Sequence, residues 1–186
     1  MATYDQLTAW AGPGHVTRAR PDVVASWRIP DFMKTQLVEV GIPVAPRLIE
    51  RVVMQIEADP VLLTSRGPLY RLTEQADPDE PAERSSFGIE PETGAVYFVM
   101  PGEEAWFANS RVDVWLDVLH RYGRCVTASE LLSEPDGPEE YLSEEEEEQA
   151  FAELSQLTEE LKEIDAAAFK GYEGLLWPGL LDRWLY

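Results

Sequence analysis

Cysteine and histidine, the residues that most often carry nucleophilic, acid–base or metal chemistry, are almost absent from this sequence. Cys125 is the single cysteine, and His15 and His120 are the two histidines. One cysteine cannot form an internal disulfide, and a zinc site of four nitrogen or sulfur ligands cannot be filled without carboxylates. These shortages exclude a disulfide scaffold and a zinc domain built on cysteine and histidine.

No motif supports a catalytic interpretation. His120 and Cys125 are five residues apart, but a catalytic Cys–His pair meets in space rather than through spacing, and no known signature surrounds Cys125. We interpret Cys125 as a small buried hydrophobic residue, His120 as a half-buried or solvated helix residue, and His15, in AGPGH, as a loop residue. That loop also lacks the Gly-Lys-Ser/Thr ending of phosphate-binding loops. We therefore expect neither enzymatic activity nor a cofactor.

Long apolar runs and a signal sequence are also missing. No segment approaches the roughly 18 consecutive apolar residues of a membrane span. The first ten residues, MATYDQLTAW, contain neither the basic nor the apolar region of a signal peptide. Together with the single cysteine, these features predict a cytoplasmic protein that does not contact membranes.

Positive charge is scarce, since 15 Lys and Arg stand against 35 Asp and Glu and give a formal net charge of -20. Such a surface repels nucleic acid and anionic membranes and attracts basic partners. Charge that only maintains solubility is the alternative interpretation. Six Trp, seven Tyr and six Phe exclude a disordered acidic tail and predict a globular core.

The hydrophobic pattern predicts an α+β fold, with helices before and after a central antiparallel sheet. Apolar spacing predicts a helix that starts near Asp31, with Asp31 as its cap, and stops at Gly41. The alternating segments LYRLTEQ, SSFGIE and GAVYFVM predict a strand meander. The sequence PETG, residues 91–94, predicts a hairpin turn in which Gly94 takes a positive φ.

Five consecutive glutamates, residues 144–148, indicate the start of a helix rather than a disordered segment. Ser143 is the predicted N-cap, and Glu146 completes a capping box. An apolar stripe follows at helical spacing: Phe151, Leu154, Leu157, Leu161, Ile164 and Ala168. The C-terminal segment continues such spacing with Trp177, Leu180, Leu181, Trp184 and Leu185. We expect this last segment to pack on the sheet or to cover one of its edges.

The segment WFANSRVDVWLDVLHRY, residues 106–122, passes from a strand into a helix through Ser110. This serine could be a nucleophile on a tight elbow or a helix cap. The elbow requires glycines two residues away on each side, where this chain has Ala108 and Val112. We therefore predict that Ser110 is the N-cap and that Asp113 completes its capping box.

In their order, these segments resemble the SUKH superfamily, and most closely its fourth group. The resemblance rests on IPDFMKTQLVEVGIP (29–43), FGIEPETGAVYFV (87–99), ANSRVDVWLDVLHRY (108–122), and EIDAAAF with LLWPGLL near the C-terminus. Arg111 and Ala166 depart from the family pattern, which tends to have a small polar residue and a proline there. Both lie at predicted helix starts, so these departures concern the caps rather than the fold.

The resemblance implies a single α+β domain, residues 1–186, that acts by binding. It would comprise a helical lead-in (1–28), a core (29–128), and an acidic helix with an apolar C-terminal segment (129–186). Most bacterial members are cytoplasmic immunity proteins of polymorphic toxin systems, which neutralise a cognate toxin, commonly a nuclease or a nucleic-acid deaminase. We expect a basic toxin domain as partner, no nucleic acid or membrane ligand, and a monomer or weak homodimer. A general protein-interaction or regulatory module without a toxin partner is the alternative.

Contact residues cannot be taken from the family, because its interface varies between members. We expect partner contacts at exposed acids beside aromatic residues, and we name Glu103, Glu104 and Trp106, in PGEEAWF, as candidates. Core packing is the alternative for Trp106. We expect no catalytic, cofactor-binding or metal-binding residue.

Overall fold

The computed structural model describes residues 1–76, 83–132 and 143–182. In this part of the chain the helices are α1 (Tyr4–Ala11), α2 (Pro21–Val24), α3 (Asp31–Glu39), α4 (Val112–Ala128), α5 (Glu144–Ile164) and α6 (Leu176–Asp182), and a 3₁₀ turn covers Ala166–Phe169. The strands are β1 (Val16–Thr17), β2 (Ile42–Pro43), β3 (Arg51–Val52), β4 (Tyr70–Arg71), β5 (Thr73–Ala76), β6 (Arg84–Ile89), β7 (Val96–Val99) and β8 (Ala105–Asn109). Helices precede and follow an antiparallel sheet, which confirms the predicted α+β class.

The helix α3 begins and ends close to its predicted limits. Its first residue is Asp31, but its N-cap is Pro30, so the prediction that Asp31 caps the helix is wrong. Because Asp31 already lies inside the first turn, its carboxylate pairs instead with Lys34 Nζ at 3.1 Å. Gly41 follows the helix with a φ of 83°, the left-handed conformation expected of the residue that ends it.

The central sheet is an antiparallel meander with the strand order β3–β5–β6–β7–β8. Two short strands share one side of β6: β5 pairs with its beginning and β4 with its end. The β6–β7 hairpin turns at Gly94 with a φ of 74°, which confirms the predicted turn. A Cβ at Gly94 would also overlap the Met33 side chain, so the glycine lets α3 approach the sheet closely.

One face of the sheet packs on α4. The ring of Phe87 on β6 lies 5.0 Å from the Trp115 ring of α4, measured between centroids. The apolar stripe of α4 is fully buried at Trp115, Val118, Leu119 and Tyr122, and half-buried at Val114. The Tyr122 hydroxyl donates to the Pro46 carbonyl at 2.8 Å and so ties α4 to the loop before β3. The main cluster of buried residues includes Ala2 and Leu181, so both ends of the described chain contribute to one core.

The helix α5 packs on α4 and begins as predicted. Ser143 Oγ accepts a hydrogen bond from the Glu146 N–H, and the Glu146 carboxylate accepts one from the Ser143 N–H at 2.8 Å, which confirms the capping box. Leu154, Leu157 and Leu161 are buried. Phe151, however, is 62% exposed, so its assignment to the buried stripe is wrong. Ala150 takes the place of Phe151 in the buried stripe. Because one residue corresponds to about 100° of helical rotation, Phe151 then faces away from the core.

The C-terminal segment covers an edge of the sheet, as its apolar character predicts. The Phe107 N–H of β8 donates to the Gly174 carbonyl at 2.8 Å, and Leu175 forms a parallel bridge with Phe107. Trp177 and Leu181 of α6 are buried, and Leu180 is half-buried. The predictions for Trp184 and Leu185 lie outside the described residues.

Candidate partner-binding surface

The two candidate glutamates lie on the turn between β7 and β8. Glu103 and Glu104 are both exposed, and Glu103 has a φ of 70°. The Met100 N–H donates to the Glu104 carbonyl at 2.8 Å, and the Ser65 N–H donates to the Glu103 carbonyl at 3.1 Å. Two segments of main chain therefore hold the turn while both side chains remain in solvent, so little backbone ordering would be needed for a cation to bind there.

Trp106 lies on β8, directly after this turn, and is half-buried. It pairs across the sheet with Phe98. Its ring lies 3.9 Å from the position that a Cβ on Gly179 of α6 would occupy. Part of the indole therefore packs between the sheet and α6, while the remainder is accessible. Contact of Glu103, Glu104 and Trp106 with a partner stays a prediction.

The strongest local concentration of charge lies on α5. This helix contains nine glutamates and one lysine, Lys162. The first five glutamates are all exposed. Lys162 Nζ lies 2.6 Å from the carboxylate of Glu159, so the single cation of the helix is already paired. The solvent-facing side of α5 is thus a strongly negative surface, which attracts cations over a Debye length of roughly 8–10 Å at physiological salt.

His120 and Cys125 lie on α4, and their geometry does not support catalysis. Five residues of α-helix separate their directions by about 140°, so their side chains diverge. Burial, followed by the positive charges of Arg124 and Arg121, lowers the pKa of His120. Burial, followed by the negative charge of Glu153, raises the pKa of the Cys125 thiol. The thiol therefore stays protonated near neutral pH, whereas a nucleophilic cysteine requires the thiolate.

A buried polar network joins the end of β8 to the C-terminal part of the chain. The Asp165 carboxylate accepts hydrogen bonds from Asn109 Nδ2 at 3.1 Å, from the Ser110 N–H at 2.8 Å and from the Ser110 hydroxyl at 2.9 Å. It also accepts one from the Ala167 N–H at 3.2 Å. Asn109 Oδ1 in turn accepts from Trp177 Nε1 at 3.1 Å. Asn109 and Trp177 are fully buried and Asp165 is 6% exposed, so the network satisfies polar groups that water does not reach.

This network corrects the prediction for Ser110. The N-cap residue of α4 is Arg111, whose side chain makes no capping hydrogen bond. Its guanidinium instead binds the Asp113 carboxylate at 3.0 and 2.8 Å, so Asp113 does not complete a capping box with Ser110. The Ser110 hydroxyl is directed to Asp165, 55 residues away. Ser110 and Asp165 both lie in segments that carry the family resemblance. That resemblance was the only feature of the sequence that pointed to a contact between the two segments.

Metal-binding groups are not assembled in the described part of the chain. Within residues 1–76, 83–132 and 143–182, no cluster of three or more His, Cys, Asp or Glu could hold a metal ion. Across the same ranges, no helix combines the length and apolar character needed to cross a membrane. The glutamates of α5 are spread along the exposed side of the helix rather than gathered around a common point.

The structure defines a class of fold: an α+β domain with a strongly acidic exposed side on α5. The chain belongs to the SUKH-4 immunity protein family, whose model matches residues 2–183. This match confirms the resemblance to the fourth SUKH group and indicates an immunity protein, which acts by binding a protein toxin and generally without catalysis. A search of curated proteins and a search of solved structures each found no match.

Proposed function

We propose that this protein is a cytoplasmic immunity protein that neutralises a basic toxin domain acting on nucleic acid, either a nuclease or a deaminase. The observation that carries the proposal is the net charge of -20 in a member of an immunity family. A toxin that grips nucleic acid needs cations to bind phosphates. An acidic inhibitor is attracted to that same surface and blocks the approach of the substrate.

Electrostatic attraction also suits the kinetic task. An immunity protein must bind its toxin before the toxin damages the cell. Complementary charge raises association rate constants from about 10⁵–10⁶ to as much as roughly 10⁸–10⁹ M⁻¹s⁻¹ at low salt. The turn with Glu103 and Glu104, next to the accessible part of Trp106, is our proposed contact for a cationic patch of the toxin. A monomer presents all of these groups without a second copy.

The test is co-expression with the variable C-terminal domain of a long secreted protein encoded next to this gene. We expect the immunity protein to restore growth, to co-purify with the toxin domain, and to bind more weakly as salt rises. The proposal would be overturned if the protein protected against none of the toxin domains encoded in the same genome. Binding that does not depend on salt would overturn its electrostatic part.

The role of the turn is tested by charge reversal with a matched control. Glu103→Lys with Glu104→Lys should slow association at least about ten-fold. Glu39→Lys with Glu163→Lys changes the net charge equally, at exposed positions on α3 and α5. Equal slowing in both double variants would show that total charge, rather than this turn, determines the rate.

A further inference from the structure

A groove with a volume of about 400 Å³ lies between α5 and α6. Two aromatic side chains at this groove, Phe151 and Tyr172, are 62% and 64% exposed. The groove is lined mainly by apolar residues, namely Phe151, Leu154, Phe169, Tyr172, Pro178 and Leu181. Large aromatic side chains left in solvent beside an apolar surface are a feature of interaction sites.

The turns of α5 before Phe151 give the groove an acidic end, formed by glutamates that flank the groove rather than line it. At about 100° per residue, Glu144, Glu147 and Glu148 lie within about 60° of the direction of Phe151 on α5. All three are exposed, and they precede Phe151 by one to two turns. Within the described residues that line the groove, Asp182 supplies the carboxylate. Among the described residues that line the groove, the cation is Lys162, and it is paired with Glu159. The groove therefore combines an apolar floor with a negative end.

We propose that this groove is the docking site for a cationic amphipathic helix of the toxin partner. The inference rests on the proposed function and adds to it a second contact, separate from the turn at Glu103. Apolar residues of the partner helix, spaced at i, i+3, i+4 and i+7, pack against Phe151 and Tyr172 in the manner of helix-in-groove recognition. Lysines or arginines on the same helix lie beside Glu144, Glu147 and Glu148, where charge complementarity sets the direction of the helix.

The first experiment uses two synthetic peptides of about 18 residues, or five helical turns. One peptide has leucine at the i, i+3, i+4 and i+7 positions and lysine elsewhere; the other replaces every lysine by glutamate. Binding to the full chain is measured by fluorescence anisotropy and by NMR chemical shifts. We expect the Leu–Lys peptide to bind and to shift the signals of Phe151 and Tyr172, whereas the Leu–Glu peptide does not bind. Absent binding, or shifts confined to other surfaces, would overturn the proposal.

Aromatic variants test the apolar part of the site. Phe151→Ser combined with Tyr172→Ser should weaken binding of the Leu–Lys peptide at least about ten-fold, because aromatic anchors dominate such interfaces. Phe32→Ser is the matched control, since Phe32 is 48% exposed but lies on α3. Far-UV circular dichroism verifies that each variant is folded. Similar weakening in the Phe32 variant would show that the peptide does not recognise the groove.

The acidic end is tested by two triple variants that lose the same number of charges. Glu144→Gln with Glu147→Gln and Glu148→Gln removes three charges beside the groove. Glu145→Gln with Glu163→Gln and Glu39→Gln removes three exposed charges directed elsewhere. We expect the first triple variant to weaken Leu–Lys binding several-fold at low salt and the second to change it less than about two-fold. Equal weakening in both triple variants would show that the peptide responds only to the net charge of the protein, and it would overturn the proposal.

Two further results separate the possible failures. A chain that ends at Asp182 should bind the peptide as the full chain does; much tighter binding after this truncation would show that the groove belongs to the chain's own C-terminus and would overturn the proposal. Co-expression with the toxin domain separates the groove from the function. If the Phe151 and Tyr172 variant still protects fully and still binds the toxin with unchanged affinity, the groove proposal fails while the proposed function stands.

Discussion

Replacing Asp165 by alanine is expected to destabilise the domain by about 3 kcal/mol. The Asp165 carboxylate accepts four hydrogen bonds, and one donor, the amide of Asn109, is fully buried. A buried donor without a partner costs about 1–3 kcal/mol. The N–H groups of Ser110 and Ala167 and the Ser110 hydroxyl lose about 0.5–1.5 kcal/mol each. Relief from burying a carboxylate offsets part of this sum.

Urea unfolding followed by circular dichroism measures this loss, with the slope m unchanged if only stability is altered. For a chain of this size, 3 kcal/mol corresponds to roughly 6–12 °C in melting temperature. Asp165→Asn should cost less, because an amide oxygen can still accept from Asn109 and Ser110. Asp59→Ala, at an exposed position, is the control and should stay within about 0.5 kcal/mol of wild type. A loss below about 1 kcal/mol for Asp165→Ala would refute the assigned role of the network.

Three other substitutions test separate features. Ser143→Ala removes the cap of α5 and should lower the free energy of unfolding by about 1 kcal/mol in urea titrations; no change would contradict the capping assignment. Gly123→Ala should gain about 1 kcal/mol of helix propensity but lose more by overlap with the Trp10 ring, so a raised melting temperature would contradict the packing of α1 on α4. Because the pKa of folded His120 is lowered, the unfolded chain binds a proton first, and stability should fall as pH drops below about 6.5. His120→Gln should remove that part of the pH dependence, and identical profiles for the two proteins would contradict the burial of this imidazole.

Local patterns in the sequence predicted the secondary structure well where the causes are local. The strand meander follows from alternation, and the turn at Gly94 follows from the need for positive φ. The capping box of Ser143 and Glu146 involves residues three apart, so it is visible in the sequence. Each of these features depends on residues that are close together in the sequence, and each is confirmed.

The failures occur where a distant partner competes with a local pattern. Ser110 and Asp113 have the spacing of a capping box, but Asp165 engages the hydroxyl of one and Arg111 the carboxylate of the other. No residue near Ser110 in the sequence indicates that its partner lies 55 residues away. The sequence indicates that Ser110 donates or accepts a hydrogen bond at the start of α4. Its actual partner, Asp165, can be identified only from the three-dimensional structure.

Phe151 shows a different limit. Its spacing fits the apolar stripe of α5, and hydrophobicity alone favours burial. The core accepts the smaller Ala150 at that turn instead, because α5 approaches the rest of the domain on that side. The candidate groove could therefore not be located from the sequence, since its main aromatic residue was assigned to the interior. Glu103 and Glu104, by contrast, were expected in solvent and lie there.

The hydrogen bond from Trp177 to Asn109 has a consequence for the time course of synthesis. These residues are 68 positions apart. At about 5–20 residues per second, a ribosome needs roughly 3–14 s to add the chain between them. During that interval β8 has emerged without the segment that later covers its edge, and the newly made sheet can pair with a neighbouring nascent chain. The edge of β8 therefore stays open for pairing until the C-terminal segment has been made.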